Sequence, residues 1–450
     1  MKNGRVFTAA THYEADIAIS EGRIATIAKD IPPASADHVI DVKEQCVLPG
    51  VIDAHVHFRE PGLEYLEDFG TGSAAAAAGG VTTVLDMPSG TPPVDNLSNF
   101  RSKLERVGPK AFVDFGLYGM ITNYNTGELR TLVAEGVAGF KLYMSETAVK
   151  VAVPDDGEIL AALQAVASTS RRVAVHAENN GILQYMNRFL RSRGRTDALA
   201  HPESRPTLAE VEAIQRILLL GREAGVKLHI VHLSSGRGLE AIKAAKEAGV
   251  DVTAETCAHY LLLDTGDTSR LGSIMKINPP IRSAGDRAAL WRGILDGSID
   301  MLSSDHSPRP LDEKKKDNIW EAAAGFGGVE LSVPLMLTEV NRGRLALSDY
   351  VRISSQSPAK AFGLYPRKGV IQVGSDADLT VVNLREEWTI RSEALHSKTR
   401  ATPFDGQRVQ GRASLTMVRG NIVAEGGEVV GKPKGTFIKP APQVAAGSRS

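Results

Sequence analysis

Cysteine is almost missing from this chain: Cys46 and Cys257 are the only two in 450 residues, far apart and each in an apolar setting. Two such residues make no disulfide framework, so a bridge-stapled secreted fold is excluded and the reducing cytosol is the expected compartment. A surplus of charge of one sign is missing too. With 52 basic and 53 acidic residues the net charge is −1, which leaves no electrostatic footprint for nucleic acid or an anionic membrane. The short run EKKK at 313–316 does not change that and reads as a solvated loop. No basic stretch followed by an apolar core opens the sequence, and no apolar span reaches about 18 residues. Neither a leader nor a membrane helix is expected, and the expected location is cytoplasmic. What remains is 42% hydrophobic and 23% charged, with length for one large domain and a small one.

From Gly50 to about residue 305, short β-branched apolar runs alternate with amphipathic helical stretches. The strand candidates are 51–57 (VIDAHVH), 81–87 (VTTVLDM), 111–118 (AFVDFGLY), 137–144 (VAGFKLYM), 171–176 (RRVAVH), 226–233 (VKLHIVHL), 251–257 (DVTAETC) and 299–305 (IDMLSSD). Helical segments such as 71–80 and 207–225 fall between most of them. The second has apolar residues at 208, 211, 214, 217 and 218, which predicts one buried face. Thr207 is its candidate N-cap, Glu210 completes a capping box, and Gly225 stands past its end. Eight such alternations over about 250 residues are the arithmetic of an α/β fold, the (β/α)8 TIM barrel. The ends differ. Residues 1–49 (GRVFTA, ADIAISEGRIATIA, HVIDV) and 366–435 (GVIQVGSDADLTVVNL, ASLTMVRGNIVAEGGEVV) read as short strands and turns. The expected organisation is a small β-sandwich domain built from both ends, a barrel over 50–365 whose last part, 323–365, is helical, and a tail at 436–450.

The stretch GVIDAHVHFREPG, 50–62, places His55 and His57 two residues apart on a strand, hence on one face. Two imidazoles converging at a strand end grip a metal. In barrels of this kind catalytic groups sit at the C-terminal strand ends, and the other ends carry matching residues. Lys141 lies within GFKLYM, His176 ends the fifth strand, His232 the sixth and Asp305 the eighth. Five of the eight strands therefore deliver a metal-competent group to one rim. Lys141 is the odd member, since an ammonium cannot ligate a cation. A buried, deprotonated lysine reacts with carbon dioxide to give a carbamate, an anion whose two oxygens bridge two metals. The set fits a binuclear site with ions about 3.5–4 Å apart, which lowers the pKa of water toward about 7. Asp305 is then the catalytic group: it binds one metal, orients the hydroxide, and carries its proton to a leaving nitrogen. His229 is expected on the opposite face in a core role. His259 and His306 are candidates for supporting hydrogen bonds, and His12, His38, His201 and His396 have no strand-end context.

Taken together, these motifs resemble the cyclic amidohydrolases: dihydroorotases, allantoinases, hydantoinases and dihydropyrimidinases. The resemblance runs from PGVIDAHVHFREPG through GGVTTVLDMP, GFKLYMSE, VHAEN, HIVHLSS, AETCAHYLLL and SSDHSP to VRGNIVAEGGEVV. It implies two zinc or other divalent ions held by His55, His57, a carbamylated Lys141, His176, His232 and Asp305. It also implies hydrolytic ring opening of a small-molecule cyclic amide, and a homodimer or homotetramer.

The specificity signals divide. HFREPG, FKLYMSET, NPP and EEWTI…TPFDGQRVQG look like dihydroorotase, where the positions of Arg59 and Asn278 meet the substrate carboxylate and ring. Ser89, however, stands where that pattern has asparagine, and Arg309 where it has histidine. SRPTLAEVEAI, ETCAHYL, PPIR and SDHSP look like allantoinase. Glu146 stands where hydantoinases usually have tyrosine. Arg59 and Arg309 suit bidentate carboxylate recognition, with pairing to Glu60 and Asp312 as the structural alternative. The expectation is a dihydroorotase-type carboxylated ring, with Arg59, Ser89, Asn278 and Arg309 as substrate-binding residues. The alternatives are an allantoinase- or hydantoinase-type ureide opening, and, from another class, a non-catalytic dihydropyrimidinase-like structural protein.

Overall fold

The computed structural model describes residues 1–146 and 151–441. Four strands come first: β1 (Gly4–Phe7), β2 (His12–Ser20), β3 (Arg23–Ala28) and β4 (Cys46–Pro49). The barrel follows with β5 (Val51–Val56), β6 (Val81–Asp86), β7 (Asp114–Leu117), β8 (Gly119–Met120), β9 (Phe140–Tyr143), β10 (Arg172–His176), β11 (Lys227–Ile230), β12 (Val252–Cys257) and β13 (Met301–Ser303). Then come β14 (Leu379–Thr389), β15 (Arg408–Val418), β16 (Asn421–Glu425) and β17 (Glu428–Val429).

β5, β6 and β7 pair in parallel, as do β8 through β13. β7 and β8 are one stave interrupted at Tyr118, whose hydroxyl donates to the Ala54 carbonyl at 3.1 Å. Of the run expected as one strand, 111–118, residues 114–117 form β7, and the stave resumes beyond Tyr118 as β8. A parallel bridge between Val56 and His306 brings the first and last staves together, with His57 N–H donating to the His306 carbonyl at 2.8 Å. The staves alternate as a closed barrel requires. Ile52, Ala54, Leu85, Tyr118, Val231 and Met301 form an inner cluster that Phe362 and Leu364 complete. Val84, Phe115, Phe140, Val175 and Ile230 belong to the larger core between strands and helices.

The helix Thr207–Ala224 forms where expected and ends at Gly225, whose φ of +66° is left-handed. Its start differs from the expectation. Pro206 is the N-cap and no side chain caps it, because the Glu210 carboxylate accepts from the Ser234 backbone and hydroxyl at 2.9 Å. Of the apolar positions, Val211, Ile214, Ile217 and Leu218 are buried while Leu208, in the first turn, is 53% exposed.

The two ends build one eight-stranded sheet in the order β17-β16-β15-β14-β4-β1-β2-β3, the small β-sandwich domain. Its joint is β4, antiparallel to β14 and parallel to β1. Cys46–Pro49 carries no strand signal in the sequence, since all four residues are buried and show no alternation. The expected strand HVIDV gives only a bridge between Asp41 and Lys2. Val6, Ile17, Ile24, Val47, Val381 and Met417 form this domain's own core. Beyond it, Phe437 bridges to Phe115 on β7, and Ile438 N–H donates to the Phe115 carbonyl at 2.8 Å. The segment read as a tail thus lies on the barrel as far as residue 441, and its remainder falls outside the described residues.

Candidate metal centre

His55 is on β5, His57 just beyond it, His176 ends β10, and His232 and Asp305 follow β11 and β13. The last two take φ values of +40° and +49°, and Arg59 takes +62°. A side chain in the left-handed region costs on the order of 1–3 kcal/mol, an expense typical of residues turned toward a functional site. At His232 the turn is what brings the ring to the cluster.

The donor atoms converge. His55 Nε2 is 3.2 Å from His57 Nε2, and each is 3.3 Å from Asp305 Oδ1. His176 Nδ1 is 2.9 Å from His232 Nε2. Each ring but one is held from its far side. Glu255 takes His55 Nδ1 at 2.5 Å, Ser89 meets His57 Nδ1 at 2.7 Å, and Glu178 takes His176 Nε2 at 2.8 Å. A carboxylate on one ring nitrogen fixes the proton there and leaves the other nitrogen's lone pair facing the centre. Burial, with Lys141 nearby, lowers His55 to about 4, and burial sets His57 and His232 well below the usual range. These are neutral imidazoles, the form that ligates.

Lys141 is fully buried, its Nζ has no hydrogen-bond partner among the described residues, and burial lowers it to about 8. Asp305 is pushed up to about 8 by the same cause, against the opposing pull of Lys141. The residues fit a divalent cation. His55, His57 and Asp305 offer atoms within 4.8 Å of one another, and the orphaned Lys141 Nζ adjoins them. A second acidic group, Asp114, Asp376 and Asp378, has the same spacing, but the Lys368 ammonium sits among its carboxylates at 2.7, 3.3 and 2.5 Å.

Sequence reasoning missed the supports. Glu255 accepts from His55, from His229 at 3.1 Å and from Ser303 at 2.7 Å. Arg205 forms a two-pronged pair with Glu178, and this pairing, with His176, outweighs burial and holds Glu178 well below the usual carboxylate range. The available signal was Glu255 itself, a charged residue within the strand run DVTAETC. His229, expected to face away from the site, packs against Phe362 of the inner cluster and contacts Glu255 beneath it, since His232 leaves the strand's alternation. His259 packs tilted against Tyr260 and edge-on to Phe326, with its Nε2 unpartnered among the described residues. His306 binds Glu67 at 3.2 Å and accepts from the Gly328 and Val329 N–H groups. His201 meets the Ile277 carbonyl and His396 meets Glu330.

Arg59, Ser89, Asn278 and Arg309 line one cavity with the metal-competent residues, and Tyr143, Glu146 and Ala324 are also in its wall. Ser89 Oγ is spent on His57, so its contact is with a ring that faces the cluster. Arg59 donates to Ser307, its Nε is unpartnered, and burial with Arg309 beside it lowers it to about 10. The expected structural alternatives are not the ones found: Glu60 binds Lys110 at 2.5 Å, and Arg309's acid is Glu313, 3.8 Å away. Asn278 Oδ1 is buried without a partner among the described residues.

Comparison with known proteins places the chain. Residues 46–423 match the model of the Amidohydrolase family. An allantoinase of Rubrobacter xylanophilus is 40% identical over 95% of this chain and 94% of its own length. A dihydroorotase of Methanothermobacter thermautotrophicus is 39% identical over 92% of each. The solved structure of an L-hydantoinase from Arthrobacter aurescens superposes with a TM-score of 0.95 at 39% identity, covering 97% of this chain and 98% of that one. Similarity at this level, along nearly the whole length of each relative, means that the protein belongs to the amidohydrolase family.

Proposed function

We propose that the protein hydrolyses the C–N bond of a cyclic amide, opening a ring that carries a carboxylate, in the manner of a dihydroorotase. His55, His57, His176, His232, Asp305 and Lys141 as its carbamate would hold two divalent ions, zinc being the expected metal. Such ions supply Lewis acidity, making water nucleophilic near neutral pH and polarising the amide carbonyl. Glu255, Ser89 and Glu178 keep the three imidazoles they hold aimed. Asp305, whose Oδ1 faces His55 and His57, would as the carboxylate accept the proton of the attacking water at its other oxygen and deliver it to the leaving ring nitrogen. Asn278 Oδ1 accepts from a ring N–H.

One observation carries the choice of ring. Arg59 and Arg309 line the same cavity, and the nearest acid to either among the described residues is Glu313, 3.8 Å from Arg309. Two guanidinium groups so placed suit one carboxylate. The test is ring opening of dihydroorotate, allantoin, hydantoin and dihydrouracil by the metal-loaded protein. Arg59→Met should raise the Michaelis constant for dihydroorotate about 10–150-fold, the worth of a charge-assisted contact of roughly 1.5–3 kcal/mol, and barely alter that for a neutral ring. A second reading, opening of a neutral five-membered ureide, is favoured by the similarity to the allantoinase of Rubrobacter xylanophilus and the L-hydantoinase of Arthrobacter aurescens. Rapid opening of allantoin or hydantoin with dihydroorotate ignored would put that reading in place of the first.

A further inference from the structure

A second cavity, about 330 Å³, adjoins the first and shares Asn278, Arg309 and Ala324 with it. Its wall is cationic: Arg191, Arg205, Lys276 and Arg309 line it, and no acidic residue does among the described residues. Arg205 is neutralised by Glu178 and Arg309 has Glu313 at 3.8 Å, but Lys276 and Arg191 are not so provided for. The Lys276 ammonium donates only to the Ile319 and Ala322 carbonyls, at 2.7 and 2.6 Å. The Arg191 guanidinium lies over the Trp320 ring at 4.8 Å, and neither group has a carboxylate within 4 Å among the described residues. Behind this wall Lys314 is fully buried, with the Lys276 and Ala323 carbonyls and the Phe326 ring as its partners. Carbonyl dipoles and ring faces offset part of the cost of burying these charges, and an anion would offset much more.

We propose that this second cavity takes an anionic group at the end of an exocyclic arm, so that the substrate is a cyclic amide whose ring sits at the histidine cluster while its arm passes Asn278 and Arg309 to end on Lys276 and Arg191. The inference rests on the reading of the first cavity as a site of cyclic-amide hydrolysis, and not on a carboxylate at Arg59. It names a substrate class wider than a bare ring, one whose charge stands away from the scissile bond.

The test is calorimetric binding of two probes to the metal-loaded protein, a hydantoin bearing a propanoate arm and its propanamide counterpart. They differ in the charge of the arm and little in its size. The propanoate should bind about 10–150-fold more tightly, and Lys276→Met should remove that preference while leaving the propanamide unchanged. Because Lys276 also holds the 319–322 segment, Arg191→Gln, at an exposed position, is the second variant and should reduce the preference in the same direction. Equal binding of both probes by the wild type overturns the proposal. So does a preference that survives both variants and disappears in Arg59→Met, which would put the anion in the first cavity. Turnover is read separately: a binding preference without ring opening of either probe would keep the anionic cavity and count against the hydrolase reading.

Discussion

Lys141 and Asp305 carry the sharpest expectations at the scale of single residues. Lys141 Nζ is buried, unpartnered and lowered to about 8, so a neutral amine is accessible near physiological pH, and that is the form that takes up carbon dioxide. Lys141→Ala should lose both retained metal and turnover, with partial return when a short carboxylic acid and metal are supplied together. Metal analysis beside an activity assay checks it, and full activity in the unsupplemented variant would sink the carbamate. Asp305→Asn keeps an oxygen for a cation but cannot move a proton. It should retain most of the metal and lose about 10²–10⁴ in turnover, the usual worth of general acid–base catalysis. Retained turnover with retained metal would assign the proton to another group.

Elements decide how much of this was legible beforehand. The donor residues stood out because barrel strands end at a common rim, so that His-x-His, a lone lysine in GFKLYM and the histidines and aspartate of other strand ends are read against one geometry. The residues that hold those donors did not stand out. Glu255 touches His55 from 200 positions away and Glu178 is locked by Arg205 from 27 away, and such pairings leave no local pattern. The same cause removed the capping box, since Ser234 claims Glu210 across space, and hid β4, whose four residues are too few and too uniformly buried to show a period. One element contributes a further expectation. Phe362, 2% exposed, packs edge-on to both Tyr118 and His229 within the barrel's inner cluster. Phe362→Ala should cost about 3–5 kcal/mol through the void it leaves, measured by urea denaturation. A loss below about 1 kcal/mol would mean that neighbouring side chains collapse into the space.

For the whole molecule, Lys368 joins the two layers of architecture. Its ammonium binds Asp114 on β7 and Asp376 and Asp378 ahead of β14, and Arg419, just past β15, also reaches Asp114. Barrel and small domain therefore share one buried charge cluster, in which the neighbouring carboxylates, outweighing burial, raise the lysine above its usual range. Lys368→Met would leave carboxylates buried without their cation, and breaking such a pair costs about 3–5 kcal/mol. A chemical denaturation curve should show that loss, and an unchanged midpoint would mean that Arg419 alone satisfies the cluster.

The joint between β4 and β14 has a consequence during synthesis. Leu48 on β4 pairs with Thr380 on β14, about 330 residues further along. At bacterial or eukaryotic elongation rates of about 5–20 residues per second, the earlier strands wait on the order of ten seconds to a minute for their partner to leave the ribosome. Throughout that interval β4 presents an unpaired apolar edge in a crowded cell, the kind of surface that nascent-chain chaperones shield and that pairs promiscuously when they do not. Fast translation, or a generous supply of such chaperones, should therefore matter more to the yield of this protein than to that of a barrel whose sheets close locally.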